Sequence, residues 1–413
     1  MPKKLPFDLN TIKEIEEKYG TPFFLYDENI IRKRAKKLKD AFANKFDFKE
    51  FFAIKATPNP SIMKIMKEEG FGVDAATMTE LLLCDKCDIY GDDIMFSSNG
   101  TSNEDFKKAL ELNSIINLDD ISLIDRVIES SDNIPELLCF RINPGNLQTG
   151  NSIIGSPMDA KFGITLEQVI PAYKKAKKLG IKKFGIHTMV GSNVLNEYYF
   201  LDTVNILIDI LNKLKKELDI EVEFINIGGG FGIPYRLDEA ELDIEHVSEL
   251  ILELYNKKLD YKPKLFMEHG RWLTGPSGFL ISKVVAKKDT YKNYKIVDAS
   301  MSDLMRPGLY RAYHYITILR EGKMMDENTP KEIVDVVGSL CENNDKFAID
   351  RELPKINIDD YLIIHDVGAH GRAMGFNYNG KLRSPEILLK KDGSFKLIQG
   401  RETFEDYTRN MIF

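Results

Sequence analysis

Eight short apolar runs, each followed by a segment with helical spacing, restrict this chain more than any other feature. They are FFAIK (51–55), FGVDA (71–75), IMFSS (94–98), SIINL (114–118), LLCFR (137–141), KFGIH (183–187), EFINI (223–227) and KLFMEH (264–269). Between them stretches such as SIMKIMKEEG, EDFKKALEL and NILIDILNKLKKELD alternate apolar and charged faces at the period of an α-helix. Strands that are apolar throughout are buried on both faces, and crossover helices between them make the pairing parallel. Eight such units close into a (β/α)8 barrel, predicted here over residues 28–272. The later units are longer than the first four, which leaves room for an insertion, NPGNLQTGNSIIGSPMDAKFG, after the fifth run.

The texture changes after Arg271 to ISKVVAKK, YKIVDAS, YHYITIL, EIVDVVG, DYLIIHDVG, EILLKKDG and SFKLIQG, β-branched runs with turn signals and few helical periods. A second, mainly β domain is predicted over 273–413. The opening TPFFLYD (21–27) reads as a strand of that domain, so residues 1–27 are assigned to it. The chain has 413 residues, 43% hydrophobic and 29% charged, a composition that excludes a disordered or collagenous protein. With 57 Lys and Arg against 64 Asp and Glu, the net charge of −7 repels phosphate backbones and anionic lipid, so neither nucleic acid nor membrane is an expected partner. Four cysteines and no secretory or spanning run fit a cytoplasmic protein in a reducing compartment.

Barrels of this kind place their chemistry at the C-terminal ends of the strands, and those ends are polar here. The first run ends in Lys55, the second in Asp74, the third in Ser97 and Ser98, the fifth in Arg141, the sixth in His187, and the eighth in Glu268 followed by Arg271. A lysine in the barrel mouth would be desolvated and suited to a Schiff base; an ion-paired structural lysine is the alternative. Gly228, Gly229 and Gly230, continued by Phe231 and Gly232, follow the seventh run, where barrels hold phosphate. A tight turn without ligand is the competing reading, and a Rossmann loop is disfavoured because Ile233 and Pro234 stand where its third glycine and helix belong. A lysine, a phosphate cradle and an acid for a pyridine nitrogen, with Glu268 the natural choice, together suggest pyridoxal phosphate.

The motifs FFAIKATPNP, VDAATMTELL, GIHTMVGSN, NIGGGFGIPY, MEHGRWL, LMRPGLYRAYH, GSLCENNDKF and GAHGRAMGFNYNGKLRSPEILL stand in this order from about residue 20 to the end. In this the chain resembles the diaminopimelate decarboxylases, fold-type III pyridoxal-phosphate enzymes related to ornithine decarboxylase and alanine racemase. The resemblance implies an alanine-racemase-type barrel that decarboxylates meso-diaminopimelate to lysine. Lys55 would be the Schiff-base lysine, with Asp74, Arg141 and His187 around it. Ser192, Gly228, Gly229 and Gly230 would hold phosphate, Glu268 the pyridine nitrogen, and Arg271 phosphate or substrate. Arg306 and Tyr310 would hold the substrate's distal carboxylate, for which a guanidinium fork is suited and which a diamine-forming enzyme lacks. Cys341 would protonate the carbanion and Glu342 recognise the amine, both inserted from a second subunit, so a homodimer with shared sites is implied. Tyr378, in the last motif, would face the cofactor.

Two residues depart from the family pattern. Met189 stands where a histidine commonly stacks on the cofactor ring, and His370 where a tyrosine commonly lies near the phosphate. The alternatives kept open are decarboxylation of D-lysine, D-ornithine or carboxynorspermidine, racemisation, and a non-catalytic carrier of the cofactor. Read without the family, Cys341 would be a buried inert thiol and Arg306 a surface arginine. Cys84 and Cys87 lie in a helical pattern with no second ligand pair, and His246, His314 and His365 lack metal-ligand spacing; all five read as structural, and no metal is expected.

Overall fold

A computed structural model describes residues 3–130, 134–150, 155–189, 191–325 and 328–413. Val190 of the GIHTMVGSN motif and residues 151–154 of the insertion lie outside the described residues. The chain divides into two compact units, one of residues 32–233 and 241–273, the other of 1–31, 234–240 and 274–413.

The first unit is a closed parallel barrel. Strand β1 (Phe23–Asp27) belongs to the other unit, and the eight that follow close the cylinder in sequence order: β2 (Phe48–Ala53), β3 (Gly72–Ala75), β4 (Ile94–Ser98), β5 (Ile115–Leu118), β6 (Leu137–Arg141), β7 (Lys183–His187), β8 (Phe224–Asn226) and β9 (Lys264–Met267). Each falls on one of the eight apolar runs. Closure is made by β2 against β9, with Lys49 in register with Phe266. Inside, Phe51, Met95, Cys139, Phe224 and Phe266 form one buried cluster, with Phe224 and Phe266 stacked at 4.3 Å. Each such phenyl stabilises by about 1.5–3 kcal/mol relative to exposure. Gly185 on β7 is what admits Phe224: a β-carbon there would overlap its ring. Several crossover helices start on side-chain caps, from Asn59, Thr77, Ser102, Asn196 and Asp243; Ser102 and Asp105 form a reciprocal capping box at Asn103–Glu111.

The second unit is built on a ten-stranded sheet of β1 with β10 (Gly278–Asp289), β11 (Asn293–Val297), β12 (Ile316–Arg320), β13 (Lys323–Met324), β14 (Lys331–Val337), β15 (Lys346–Pro354), β16 (Tyr361–Ile364), β17 (Glu386–Leu389) and β18 (Phe395–Gln399). Its long strand β10 serves three partners: residues 278–281 pair with β1, 280–283 with β16, and 284–289 with β11 across a bulge at Val284/Ala286. Strand β1 runs antiparallel to β10 and parallel to β17. The helix Leu9–Tyr19 lays Ile12 and Ile15 on a core of Phe23, Leu25, Phe279, Ile281, Ile363 and Ile387. Residues 234–240 group with this unit although the sequence assigned all of 28–272 to the barrel. They are held there by Lys3, which donates to the Pro234 carbonyl at 2.8 Å, and by Arg306, bonded to the Tyr235 hydroxyl. Among the described residues no helix is long and apolar enough to cross a membrane.

Candidate active site

The barrel gathers the expected groups at the C-terminal ends of its strands. Glu268 follows β9 and is buried with both oxygens engaged: Oε1 accepts from Asn226 Nδ2 at 2.7 Å, and Oε2 lies 3.1 Å from His187 Nε2. Burial opposes ionisation, but His187, Lys55 and Asn226 outweigh it and hold this carboxyl below its ordinary value. A carboxylate only accepts, so Nε2 of His187 carries the proton. Nδ1 of His187 is buried with no protein partner among the described residues.

Asp74, at the end of β3, has the opposite character. Its burial, reinforced by the negative Glu268, pushes its pKa well up against the pull of Lys55 and Arg141. Two carboxyl groups in one mouth thus divide, one ionised and one inclined to keep its proton.

Lys55 corrects an expectation. Strand β2 stops at Ala53, and Lys55 sits on the 3-10 turn Ile54–Ala56 with its side chain 56% exposed and Nζ 3.9 Å from Asp74 Oδ2. The lysine therefore stands on the turn beyond the strand, beside Asp74, and not at the strand's own end. Arg141 is anchored instead: it donates to the Met189 carbonyl at 3.1 Å, lies 3.7 Å from Asp119 and covers the Phe162 ring at 4.4 Å.

The glycine loop after β8 is close-packed backbone. Gly228 and Gly230 have φ of +66° and +109°. A β-carbon on Gly228 would meet the Thr188 carbonyl at 2.6 Å, and one on Gly229 would overlap the carbonyl oxygen of Glu268. Gly228 donates its N–H to Asn226 Oδ1, and the N–H of Gly229 points at Met189 Sδ, 3.2 Å away. Met189 therefore rests its sulfur on the loop. Arg271 Nη2 reaches Ser192 Oγ at 3.4 Å.

A glycine loop with a cation and a hydroxyl beside it, an ionised acid and a lysine amine fit pyridoxal phosphate. Asp119 and Asn226 were missed by the sequence reading, although the signal it used, a polar residue closing an apolar run, points to both. Glu50 and His269, a wholly buried pair with Nδ1 to Oε2 of 3.1 Å, carry no such signal because they are 219 residues apart.

The six remaining candidates lie in the β unit. Arg306 opens the helix Arg306–Tyr310 and is buried, donating to the Tyr235 hydroxyl at 2.7 Å and lying 3.3 Å from His314 Nε2; it is not the surface arginine of the bland alternative. Tyr310 closes that helix and is partly exposed. The helix packs on the turn carrying Cys341 and Glu342: a β-carbon on Gly308 would stand 2.7 Å from the Asn344 carbonyl. Cys341 is exposed, against the inert-thiol alternative, and its N–H donates to Asn379 Oδ1 at 2.8 Å, bringing the loop of the exposed Tyr378 to the same place. His370 adopts φ of +55° elsewhere in the unit. Cys84 and Cys87 are buried at the helix Met78–Lys86, His314 donates Nδ1–H to the His365 carbonyl, and His365 bonds Thr317.

The barrel with this set of strand-end groups defines a pyridoxal-phosphate enzyme of the fold-type III class. Residues 28–275 match the family model described as pyridoxal-dependent decarboxylase, pyridoxal binding domain. Protein TabA of Pseudomonas amygdali pv. tabaci is 39% identical over 96% of this chain and 92% of its own. The diaminopimelate decarboxylase of Methanothermobacter thermautotrophicus is 35% identical over 96% and 92%. Among solved structures, the diaminopimelate decarboxylase of M. jannaschii in complex with L-lysine superposes with a TM-score of 0.87 at 32% identity, covering 97% of this chain and 94% of that one. The chain belongs to the pyridoxal-dependent decarboxylases, in the group that includes the diaminopimelate decarboxylases. It is a carbon–carbon lyase with pyridoxal phosphate as cofactor and a small amino acid as substrate.

Proposed function

We propose that the protein removes the carboxylate from one α-carbon of meso-diaminopimelate, leaving L-lysine and carbon dioxide. The observation that carries this is Arg306, a buried guanidinium aligned by Tyr235 and His314. It is complementary to a carboxylate at the far end of a substrate and repels an ammonium there. The relatives named diaminopimelate decarboxylase and the neighbour holding L-lysine support the reading.

Pyridoxal phosphate, when bound, supplies a conjugated ring that takes up the electron pair left as the carboxylate departs. Gly228, Gly229, Gly230, Ser192 and Arg271 hold the phosphate end, with His370 and Tyr378 as further donors. Glu268, kept ionised by His187 and Asn226, accepts the N–H of the ring nitrogen and fixes that proton in place. Met189 and His187 set the position of the ring, and Arg141 holds the loop carrying Met189 through its carbonyl. The Lys55 amine is the attachment point for the aldehyde carbon, and Asp74 beside it holds a proton in reserve. Arg306 and Tyr310 orient the unreacted end and Glu342 the amine. The Cys341 thiol delivers one proton to the α-carbon as one carbon dioxide leaves. Cys341 and Glu342 come from a second copy of the chain, so the working form is a cytoplasmic homodimer with shared sites.

The test is carbon dioxide release from a panel of amino acids with added cofactor. Meso-diaminopimelate is expected to be turned over best, with Arg306→Gln raising its KM. Faster release from D-lysine, D-ornithine or carboxynorspermidine removes the assignment, and full turnover by Lys55→Ala removes every covalent version of it.

A further inference from the structure

The seam that closes the barrel is continued past its last strand pair by a side chain. Main-chain register between β2 and β9 ends with Glu50 opposite Met267. Beyond it the Glu268 N–H turns to the Gly228 carbonyl at 2.9 Å, on the β8 side, and the His269 N–H is taken by a carboxyl group on the β2 side, Glu50 Oε1 accepting it at 2.5 Å. Glu50 Oε2 lies 3.1 Å from His269 Nδ1, so one carboxyl group holds both the main chain and the ring of the residue after Glu268. The His269 carbonyl in turn accepts from the Ala53 N–H at 3.2 Å, two residues before Lys55. Its ring lies 4.1 Å from that of Phe231, the residue that follows the three glycines. A β-carbon on Gly270 would stand 2.5 Å from that of Ala56, so the turn carrying the lysine rests on the same segment. The acid, the glycine loop and the lysine turn thus meet at His269.

Neither side chain of the pair is more than 1% exposed. Buried ionisable pairs seldom stabilise a fold more than apolar side chains of equal volume, because both groups lose their hydration. His269 Nε2, buried with no partner among the described residues, adds to that cost. Stability is therefore a poor account of the pair. What it provides is direction, since two bonds from one rigid carboxyl group fix the place and the rotation of a segment that a single bond would leave free to pivot. A cofactor with a rigid ring and a phosphate arm needs its acid and its glycine loop at one spacing.

We propose that Glu50 and His269 are positioning residues that set the spacing between Glu268 and the glycine loop, so that the two ends of pyridoxal phosphate are gripped at once. This rests on the reading that Glu268 meets the ring nitrogen and the glycine loop the phosphate. Both residues act through neighbours: His269 through its peptide link to Glu268 and its contact with Phe231, and Glu50 through His269.

The test combines three measurements on the full chain. Absorbance titration gives the affinity for pyridoxal phosphate, competition by inorganic phosphate gives the grip of the loop end alone, and visible circular dichroism at saturating cofactor reports how firmly the ring is held. Glu50→Leu and His269→Asn, which withdraws the ring from Phe231, each weaken pyridoxal phosphate about tenfold, the effect of leaving one residue's backbone to be ordered on binding. They also lower the dichroism per bound cofactor, while inorganic phosphate competes as in wild type. Glu50→Gln, whose amide oxygen still accepts the His269 N–H, recovers most of the affinity. A purely structural pair instead lowers the Tm of the cofactor-free protein and weakens inorganic phosphate and pyridoxal phosphate alike, which overturns the proposal. Wild-type cofactor affinity and dichroism in His269→Asn overturn it too, and that variant decides if Glu50→Leu does not fold. If Glu268→Gln keeps wild-type affinity and dichroism, the reading of Glu268 fails and the proposal with it. If Glu268→Gln loses both and His269→Asn loses neither, the proposal alone fails.

Discussion

Gly229→Ala isolates the packing of the glycine loop from its conformation, because only Gly228 and Gly230 of this trio need positive φ. The added methyl overlaps the backbone carbonyl oxygen of Glu268, an atom with no rotamer to escape into. Restoring van der Waals contact requires roughly 1 Å of movement between the loop and the end of β9. That shift cannot be absorbed locally, since the Glu268 N–H is bonded to the Gly228 carbonyl at 2.9 Å and its side chain to Asn226 at 2.7 Å. Overpacking of this kind costs about 1–3 kcal/mol, and each kcal/mol lowers the Tm of a unit this size by about 2–4 °C. A displacement of about 1 Å at a site of chemistry costs roughly a hundredfold in rate. The assay is thermal unfolding of the cofactor-free protein, absorbance titration with pyridoxal phosphate, and turnover of the loaded enzyme. Gly100→Ala is the control, its β-carbon meeting nothing within 4 Å. Gly229→Ala with the Tm, cofactor affinity and turnover of wild type would refute the claim that this loop is a close-packed cradle.

Asp74 is a buried carboxyl with a raised pKa, so it weakens the folded state increasingly as pH climbs from its ordinary value through the raised one. Asp74→Asn is therefore expected to raise the urea midpoint of the cofactor-free protein at pH 8, with the gain shrinking toward pH 4; a lower midpoint at pH 8 contradicts this. Burial pushes His365 down to about 3, so the unfolded chain takes up its proton near pH 6.5 while the folded one does not. Stability should fall by about 1.4 kcal/mol per pH unit between those values on this account alone, and His365→Gln should flatten that limb in denaturant titrations. Cys341→Ser should lower kcat by about a hundredfold or more with little change in KM, the mark of a lost proton donor. Mixing Lys55→Ala with Cys341→Ser subunits should regain activity if sites are shared, and no regain would count against the shared arrangement.

The barrel was legible in the order of residues because parallel strands covered on both faces must be apolar from end to end, and all eight runs became strands. Reading the residue that closes each run found Asp74, Arg141, His187 and Glu268, and applied without exception it would have found Asp119 and Asn226. It put Lys55 at the end of a strand, whereas β2 ends at Ala53 and the lysine stands on the turn that follows, because a pattern shows where apolar character ends but not where the backbone stops pairing. Motif order alone was enough for the cofactor and the reaction class.

Tertiary structure alone decided which of two mouth carboxyls is the more readily ionised, since that depends on Asn226 and His187 being within hydrogen-bond reach of Glu268. It also decided the pairing of Glu50 with His269 and the packing of His269 on Phe231. Composition and periodicity report what each segment must bury, whereas charge states and binding groups depend on distances between residues far apart in the chain, and those exist only once it is folded.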